Sequence, residues 1–324
     1  MLRYLHSIFR GNSKAGSYPK SLVLEAIERA VDGTDPWIRA VSGYRKKLRP
    51  AVLCAMDHVV ALVDALPPTI LIEAGSYDSD NRLRVFFSSR AELQNLLAGD
   101  PGLNALLQGE GGGLSRITAL LAMEKQEKTI LGSELSGQIV LRDVPQVTVC
   151  FQAQRLLDPA PSEEETRRQL KRRAYDHLLS IALRQISGVK SERDKLARHR
   201  ALLQAKLNLL QRGDWGFEEG AGDGHLTIPE TEARLKKIEA SLLKYGGDDR
   251  MLEVYLETLA GVLRRPEEHI WARKERVIVD RMGIKRSQPA QDTTEVELHM
   301  IGDSEGRNLA VSLVDISPAL REPR

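Results

Sequence analysis

Aromatic residues are scarce in this chain, at 5% of 324 residues. Proteins that bind single-stranded nucleic acid without sequence preference stack its bases on exposed rings, so the low aromatic content disfavours that class. The net charge is also small, +2 from 47 basic and 45 acidic residues. Any electrostatic attraction for a partner must therefore come from a local cluster of one sign.

Cysteine is limited to Cys54 and Cys150, both in apolar surroundings, which predicts two buried thiols in a reducing compartment. Uninterrupted apolar runs are short, so we expect no membrane span. Near the N-terminus, Arg3 and His6 interrupt the apolar run that a secretory signal needs. We therefore expect a cytoplasmic protein with residues 1–19 as a flexible tail, a transit peptide or short surface anchor being the alternative.

One stretch resembles a calcium-binding loop in part. In EGAGDGHLTIPE (219–230), the turn glycine and the final glutamate stand where such a loop needs them. The early ligands are missing, because Glu219 replaces the expected aspartate and Ala221 has no side-chain oxygen. A capping box at the start of the next helix explains Glu230 without requiring the missing ligands. The sequence therefore predicts no metal site here.

Phosphate-binding and nucleophilic motifs are incomplete as well. GSELSGQI (132–139) lacks the Lys-Ser/Thr pair of a phosphate loop, and GEGGGL (109–114) lacks the third glycine of a dinucleotide fingerprint. Cys54 and His58 lie four residues apart on a predicted helix, but the valines and leucines around them favour a core. We therefore predict no cofactor and no catalytic residue. An enzyme whose site assembles from scattered residues is the third of three functional hypotheses.

The spacing of apolar and turn residues predicts an α+β fold. We expect a mixed α/β body with antiparallel strands, from which a long antiparallel helical hairpin, similar to a coiled coil, projects. Strands are predicted at LRVFF, GQIVLRD, QVTVCFQ, RVIVDRM, TEVELHMI and RNLAVSLVDI. The predicted segments are an N-terminal helical segment at 20–67, a mixed part of the body at 68–161, the hairpin at 162–265, C-terminal strands at 266–318, and a tail at 319–324.

The hairpin begins with a strong helix signal. Ser162 and Glu165 form a capping box, and the apolar residues then keep one helical phase across Ser187 and Gly188 as far as Gly213. Two shorter helices follow and can return along the first. The predicted apolar seam of the hairpin consists of Leu178, Ile186, Leu196, Leu203, Leu207, Leu210, Leu235, Ile238 and Leu242.

The first helix of the hairpin is also strongly basic. Between Arg167 and Arg212 there are 13 Lys/Arg against 3 acidic residues, and the charges are spread around the helix rather than gathered on one stripe. This distribution favours a non-enzymatic adaptor or scaffold that docks a partner protein or a second copy of itself. The alternative is sequence-independent contact with nucleic-acid phosphates. The predicted contact residues are Arg167, Arg168, Lys171, Arg172, Arg173, Arg184, Lys190, Arg193, Lys195, Arg198 and Arg200.

Overall fold

The structure is a computed structural model that describes residues 18–108, 115–136, 139–212, 228–244 and 250–317. It combines helices with a six-stranded sheet, so the predicted α+β class is confirmed. No helix within these ranges is both long and apolar enough to cross a lipid bilayer. The helices are α1 (Lys20–Asp32), α2 (Tyr44–Asp64), α3 (Ser76–Ser79), α4 (Asn81–Phe86), α5 (Arg90–Gly99), α6 (Pro101–Gln108), α7 (Glu163–Arg212), α8 (Ile228–Lys244) and α9 (Met251–Arg264), with 3-10 turns at Pro36–Ala40 and Pro266–Glu268.

The sheet has the strand order β3-β2-β6-β5-β4, with antiparallel neighbours throughout, and β1 pairs with β6 in parallel. A short segment after β4 lies between β4 and β3, because Lys285 pairs with Val279 and Ile284 pairs with Thr148. The strands are β1 (Ile70–Ile72), β2 (Ile117–Ser136), β3 (Ile139–Ala160), β4 (Ile270–Asp280), β5 (Thr293–Asp303) and β6 (Asn308–Ile316).

The chain forms two compact units, and the boundary between them falls inside α2 and α7. We call residues 56–175 and 266–317 the sheet unit, and residues 18–55 and 176–265 the helical unit, each with the gaps given above. Inward-facing residues of all six strands and of α4–α6 make the core of the sheet unit. In β5, which confirms the strand predicted at TEVELHMI, buried Val296, Leu298 and Met300 alternate with more exposed neighbours.

One strand prediction in the first half of the sheet unit is wrong, and two others are correct as strands but belong to a single one. LRVFF lies mostly in α4 rather than in a strand, because Asp80 caps that helix by accepting from the Arg82 N–H at 2.8 Å. Leu83 and Phe86 are then buried at helical spacing. The described residues of the predicted strand GQIVLRD (139–143) and the predicted strand QVTVCFQ are parts of one strand, β3, whose pairing with β2 continues past Pro145.

Corrections in the N-terminal helices have local causes. Pro50 lies inside α2, and the helix continues through it. The missing backbone N–H costs one helical bond, and burial of Leu48, Ala51 and Val52 on the adjoining turns stabilises the helix. Cys54 is exposed rather than buried, because it lies on the opposite side of α2 from those residues; its thiol donates to the Arg264 carbonyl at 3.2 Å.

Candidate interaction surface

The first turn of α7 is fixed to the sheet unit. The Ser162 hydroxyl accepts from the Glu165 backbone N–H at 3.3 Å, as the capping box predicts. One residue later, the buried Thr166 hydroxyl donates to the Thr118 carbonyl of β2 at 2.8 Å. The basic residues that follow therefore begin from an anchored helix end.

Arg167 and Lys171 contact the last turn of α2. The Arg167 guanidinium donates to the Val63 carbonyl at 2.6 Å, and the Lys171 ammonium lies 2.8 Å from the Asp64 carboxylate. The last carbonyls of a helix have no partner within it and carry partial negative charge, so cations stabilise this position. Both residues thus act within the fold, although the sequence predicted them as partner contacts.

The neighbouring arginines are also engaged. Arg173 places two nitrogens on the two oxygens of Asp158, both at 2.7 Å, in the paired geometry that strengthens such contacts. Arg168 pairs with Glu164 at 3.2 Å and also with Glu165. Arg172 likewise has an interaction within the structure. The basic cluster 167–173 is therefore committed to intramolecular contacts.

Replacing Arg167 by methionine is expected to lower the free energy of unfolding by about 1.5–3 kcal/mol, the usual contribution of hydrogen bonds to a charged group. The matched control is Arg200→Met on the same helix, because Arg200 is exposed and has no ion pair among the described residues. That change should stay within about 0.5 kcal/mol of the wild type. Urea unfolding of the three proteins measures the difference, and equal stabilities would refute the structural role of Arg167.

Lys190 belongs to a cluster in the helical unit. Its ammonium lies 2.6 Å from the Asp35 carboxylate and 5.0 Å from the centre of the Tyr255 ring. Asp35 also accepts from the Trp37 backbone N–H at 2.9 Å, so it caps the 3-10 turn that begins at Pro36. Burial raises the pKa of the Tyr255 hydroxyl, although Lys190 opposes the shift. Lys190 therefore also has a structural partner.

Few cations remain once these pairs are assigned. Arg184 and Arg193 have interactions within the structure, and Lys195 forms an exposed ion pair with Glu192 at 2.7 Å. Arg198 and Arg200 are exposed, and neither has an ion pair or hydrogen bond among the described residues. Of the predicted contact residues, Arg198 and Arg200 are therefore the two without an assigned partner in the described part of the chain.

No family model, curated protein or solved structure matches this chain. Its function therefore has to be argued from its own surface chemistry. Within the described ranges, no group of three or more His, Cys, Asp or Glu is placed to hold a metal ion. Cys54 and His58 each contact a distant backbone carbonyl, that of Arg264 and that of Ile270, respectively. The predicted calcium-like loop lies outside the described residues except for Ile228, Pro229 and Glu230 at its end.

The predicted seam residues differ in burial. In the part of α7 that belongs to the helical unit, the seam residues near both ends are buried, whereas Leu196 between them is only half-buried. On α8 one of the three is buried. Leu178, Ile186, Leu203, Leu207 and Ile238 are buried; Leu196, Leu235 and Leu242 are half-buried; the side chain of Leu210 lies outside the described ones.

Two residues in the part of α7 that follows Lys190, which we call the distal part of α7, were not among the predicted contact residues. Leu202 is 70% exposed, an unusual position for a leucine beside the buried Leu203. Lys206 follows one turn later and has no ion pair among the described residues. Helical phase could have found both, because they fall one turn apart outside the predicted seam.

Proposed function

We propose that this protein is a non-enzymatic adaptor that docks an acidic partner protein through the distal part of α7. The docking face consists of Lys195, Arg198, Leu202 and Lys206. At 100° per residue, these four positions fall within an arc of about 80°. The observation that carries the proposal is Leu202, which is 70% exposed and has basic residues on the preceding and following turns. A large apolar side chain surrounded by cations suits an amphipathic acidic surface.

The docking face is separate from the apolar seam. Leu203 and Leu207 are both buried, and their direction on the helix is roughly 110° from the centre of the docking face. We propose that this seam packs against Ile238 of α8, so that α7 and α8 form the antiparallel helical hairpin that the sequence predicts. Thr231, two turns before Ile238, is buried too, which supports this arrangement. The hairpin would hold the docking face outward.

The charge count favours a protein over nucleic acid. The docking face offers three cations, and one of them, Lys195, already pairs with Glu192. Contact with three phosphates would give a plot of log K against log salt with a slope no steeper than about −3. Three phosphate contacts are too few to sustain tight binding at physiological salt. A second copy of the chain is also disfavoured, because two identical basic faces would repel one another.

Changing Leu202 to glutamate is expected to weaken partner binding by about thirtyfold or more, as for a central apolar contact surrounded by charge. The matched control is Leu24→Glu, since Leu24 is also an exposed leucine of the helical unit but lies on α1. A protein captured by the wild type and by Leu24→Glu, but lost with Leu202→Glu, would be the candidate partner. Direct binding of that purified protein should then weaken as salt is raised.

Two results would contradict the adaptor proposal. One is equal capture of every protein by the wild type and Leu202→Glu. The other is binding of duplex oligonucleotide with a logarithmic salt slope steeper than about −5, which would require more phosphate contacts than the docking face has cations. In that case the nucleic-acid alternative would replace the adaptor. Sedimentation of the purified protein over a range of concentrations tests self-association separately.

A further inference from the structure

A cavity of about 650 Å³ lies in the sheet unit, where α4, β3 and the turn after β4 come together. Its volume is within the range of roughly 300–1,000 Å³ that small-molecule sites occupy. Buried Val149 and Val279 contribute to its inner wall. Phe86 and Phe151 line it as well, and their rings meet edge to face with centres 5.3 Å apart. The innermost residues of the lining are therefore apolar and aromatic, whereas most of its accessible surface is polar.

The turn that forms one side of the cavity is held rigidly. The Asp280 carboxylate accepts from the backbone N–H groups of Met282 and Ile284, at 2.9 and 3.0 Å, and from Arg286 at 2.7 Å. Although burial opposes it, these bonds hold the pKa of Asp280 below its ordinary value. The Gly283 carbonyl accepts from the Val149 N–H at 2.8 Å, and Gly283 has φ +75, which suits glycine.

This rigid turn presents two exposed side chains that the fold itself does not use. Arg281 has no ion pair or hydrogen bond among the described residues, and Met282 is 82% exposed. Across the cavity lining, the Arg84 guanidinium bonds the neutral amide oxygen of Asn81, so its charge is not balanced there. The side chains of Arg281, Met282 and Arg84 thus line the cavity outside its aromatic inner residues.

The lining contains two arginines and two aspartates, and Arg286, which lies outside the lining, pairs with one of the aspartates. Asp280 is neutralised by Arg286, which leaves Arg84 and Arg281 against one carboxylate, Asp292. Arginine binds carboxylates through paired hydrogen bonds, and aromatic walls accept flat apolar groups. We propose that this cavity binds a small organic monoanion, a carboxylate attached to a flat apolar group. The carboxylate contacts Arg84 and Arg281, and the apolar group lies against Phe86 and Phe151.

The test uses 2-naphthoate as the probe and the full chain as the protein, with binding followed by calorimetry. We expect saturable binding at one site. Arg281→Met and Arg84→Met should each weaken it about tenfold, the usual effect of losing one charge-assisted hydrogen bond. The control Arg273→Met removes an exposed arginine of β4 that does not line the cavity and should leave binding unchanged.

A neutral probe of the same shape separates charge recognition from apolar binding. 2-Naphthamide should bind the wild type at least about tenfold more weakly than 2-naphthoate, because it cannot form the ionic contact. Equal binding of the two probes would overturn the proposal. So would binding unaffected by the two cavity substitutions, or no saturable binding up to about 1 mM, the level at which a site contributes only about 4 kcal/mol. The proposal does not depend on the docking face.

Discussion

Replacing Lys190 by methionine is expected to lower the free energy of unfolding by about 3 kcal/mol, the low end of the range for breaking a buried ion pair. The cost arises at Asp35, which is only 4% exposed and loses its ion-pair partner when Lys190 is replaced. It would retain one hydrogen bond, from the Trp37 N–H. Loss of the contact between Lys190 and the Tyr255 ring adds to the effect.

Replacing the other member of the ion pair, Asp35, should lower the free energy of unfolding by less. Asp35→Asn keeps an oxygen that can accept from Trp37, and the Lys190 side chain is 45% exposed, so water can solvate the ammonium that loses its partner. We expect a loss of about 1 kcal/mol, close to that of a solvated ion pair. Lys195→Met, which breaks the exposed pair with Glu192, should cost no more than about 0.5 kcal/mol. Urea unfolding followed by circular dichroism measures all three variants.

The order of these effects distinguishes structure from docking. If Lys190 acts within the fold, its variant is the least stable of the three. If Lys190→Met were as stable as Lys195→Met and only partner binding changed, then Lys190 would belong with the docking face. The sequence grouped these two lysines together, so the comparison tests how that group should be divided.

Local signals explain what could be predicted from the sequence. The start of α7 depends on Ser162 and Glu165, three residues apart, and its continuation depends on an apolar phase that Ser187 and Gly188 do not interrupt. In β5 the alternation of apolar and polar residues is visible within one segment. Each of these patterns is complete within a few residues, so no tertiary information is needed.

Strand β2 was missed because its pattern is not that of a strand. Residues 117–123 are all buried, so they do not alternate, and their alanines, leucines and methionine also favour a helix. The charged residues that follow, such as Lys125 and Glu127, add no apolar period. Only pairing with β6 and β3 makes this segment a strand. Tertiary context therefore overrides local preference here.

The basic residues of α7 show more clearly that local sequence does not reveal contacts with distant residues. The sequence identified the basic residues of α7 but not all of their partners, because some of the partners lie far along the chain. The acceptor of Arg167 is 104 residues away and that of Lys190 is 155 residues away. Charge content alone cannot distinguish a cation that stabilises the fold from one that is open to a partner. The docking face could be proposed only after most of the paired cations were removed from the set.

Replacing Leu203 by aspartate should have the largest effect of the single changes considered, a loss of about 4 kcal/mol. Leu203 is 6% exposed, so the change removes a buried apolar side chain and places a carboxylate in its position. Leu202→Asp is the matched control, because it makes the same substitution at the adjacent position of the same helix, where the side chain is 70% exposed. It should cost less than about 1 kcal/mol. Chemical unfolding compares the two variants.

A double substitution tests the hairpin itself. Ile238 of α8 is buried, and Ile238→Asp alone should be about as destabilising as Leu203→Asp. If the two residues pack against each other, the first substitution already removes the contact, and the double variant loses less than the sum of the single losses by about 1 kcal/mol or more. If α8 does not pack on the distal part of α7, the two losses add. Additive losses would contradict the proposed hairpin, and the docking face would then need another support.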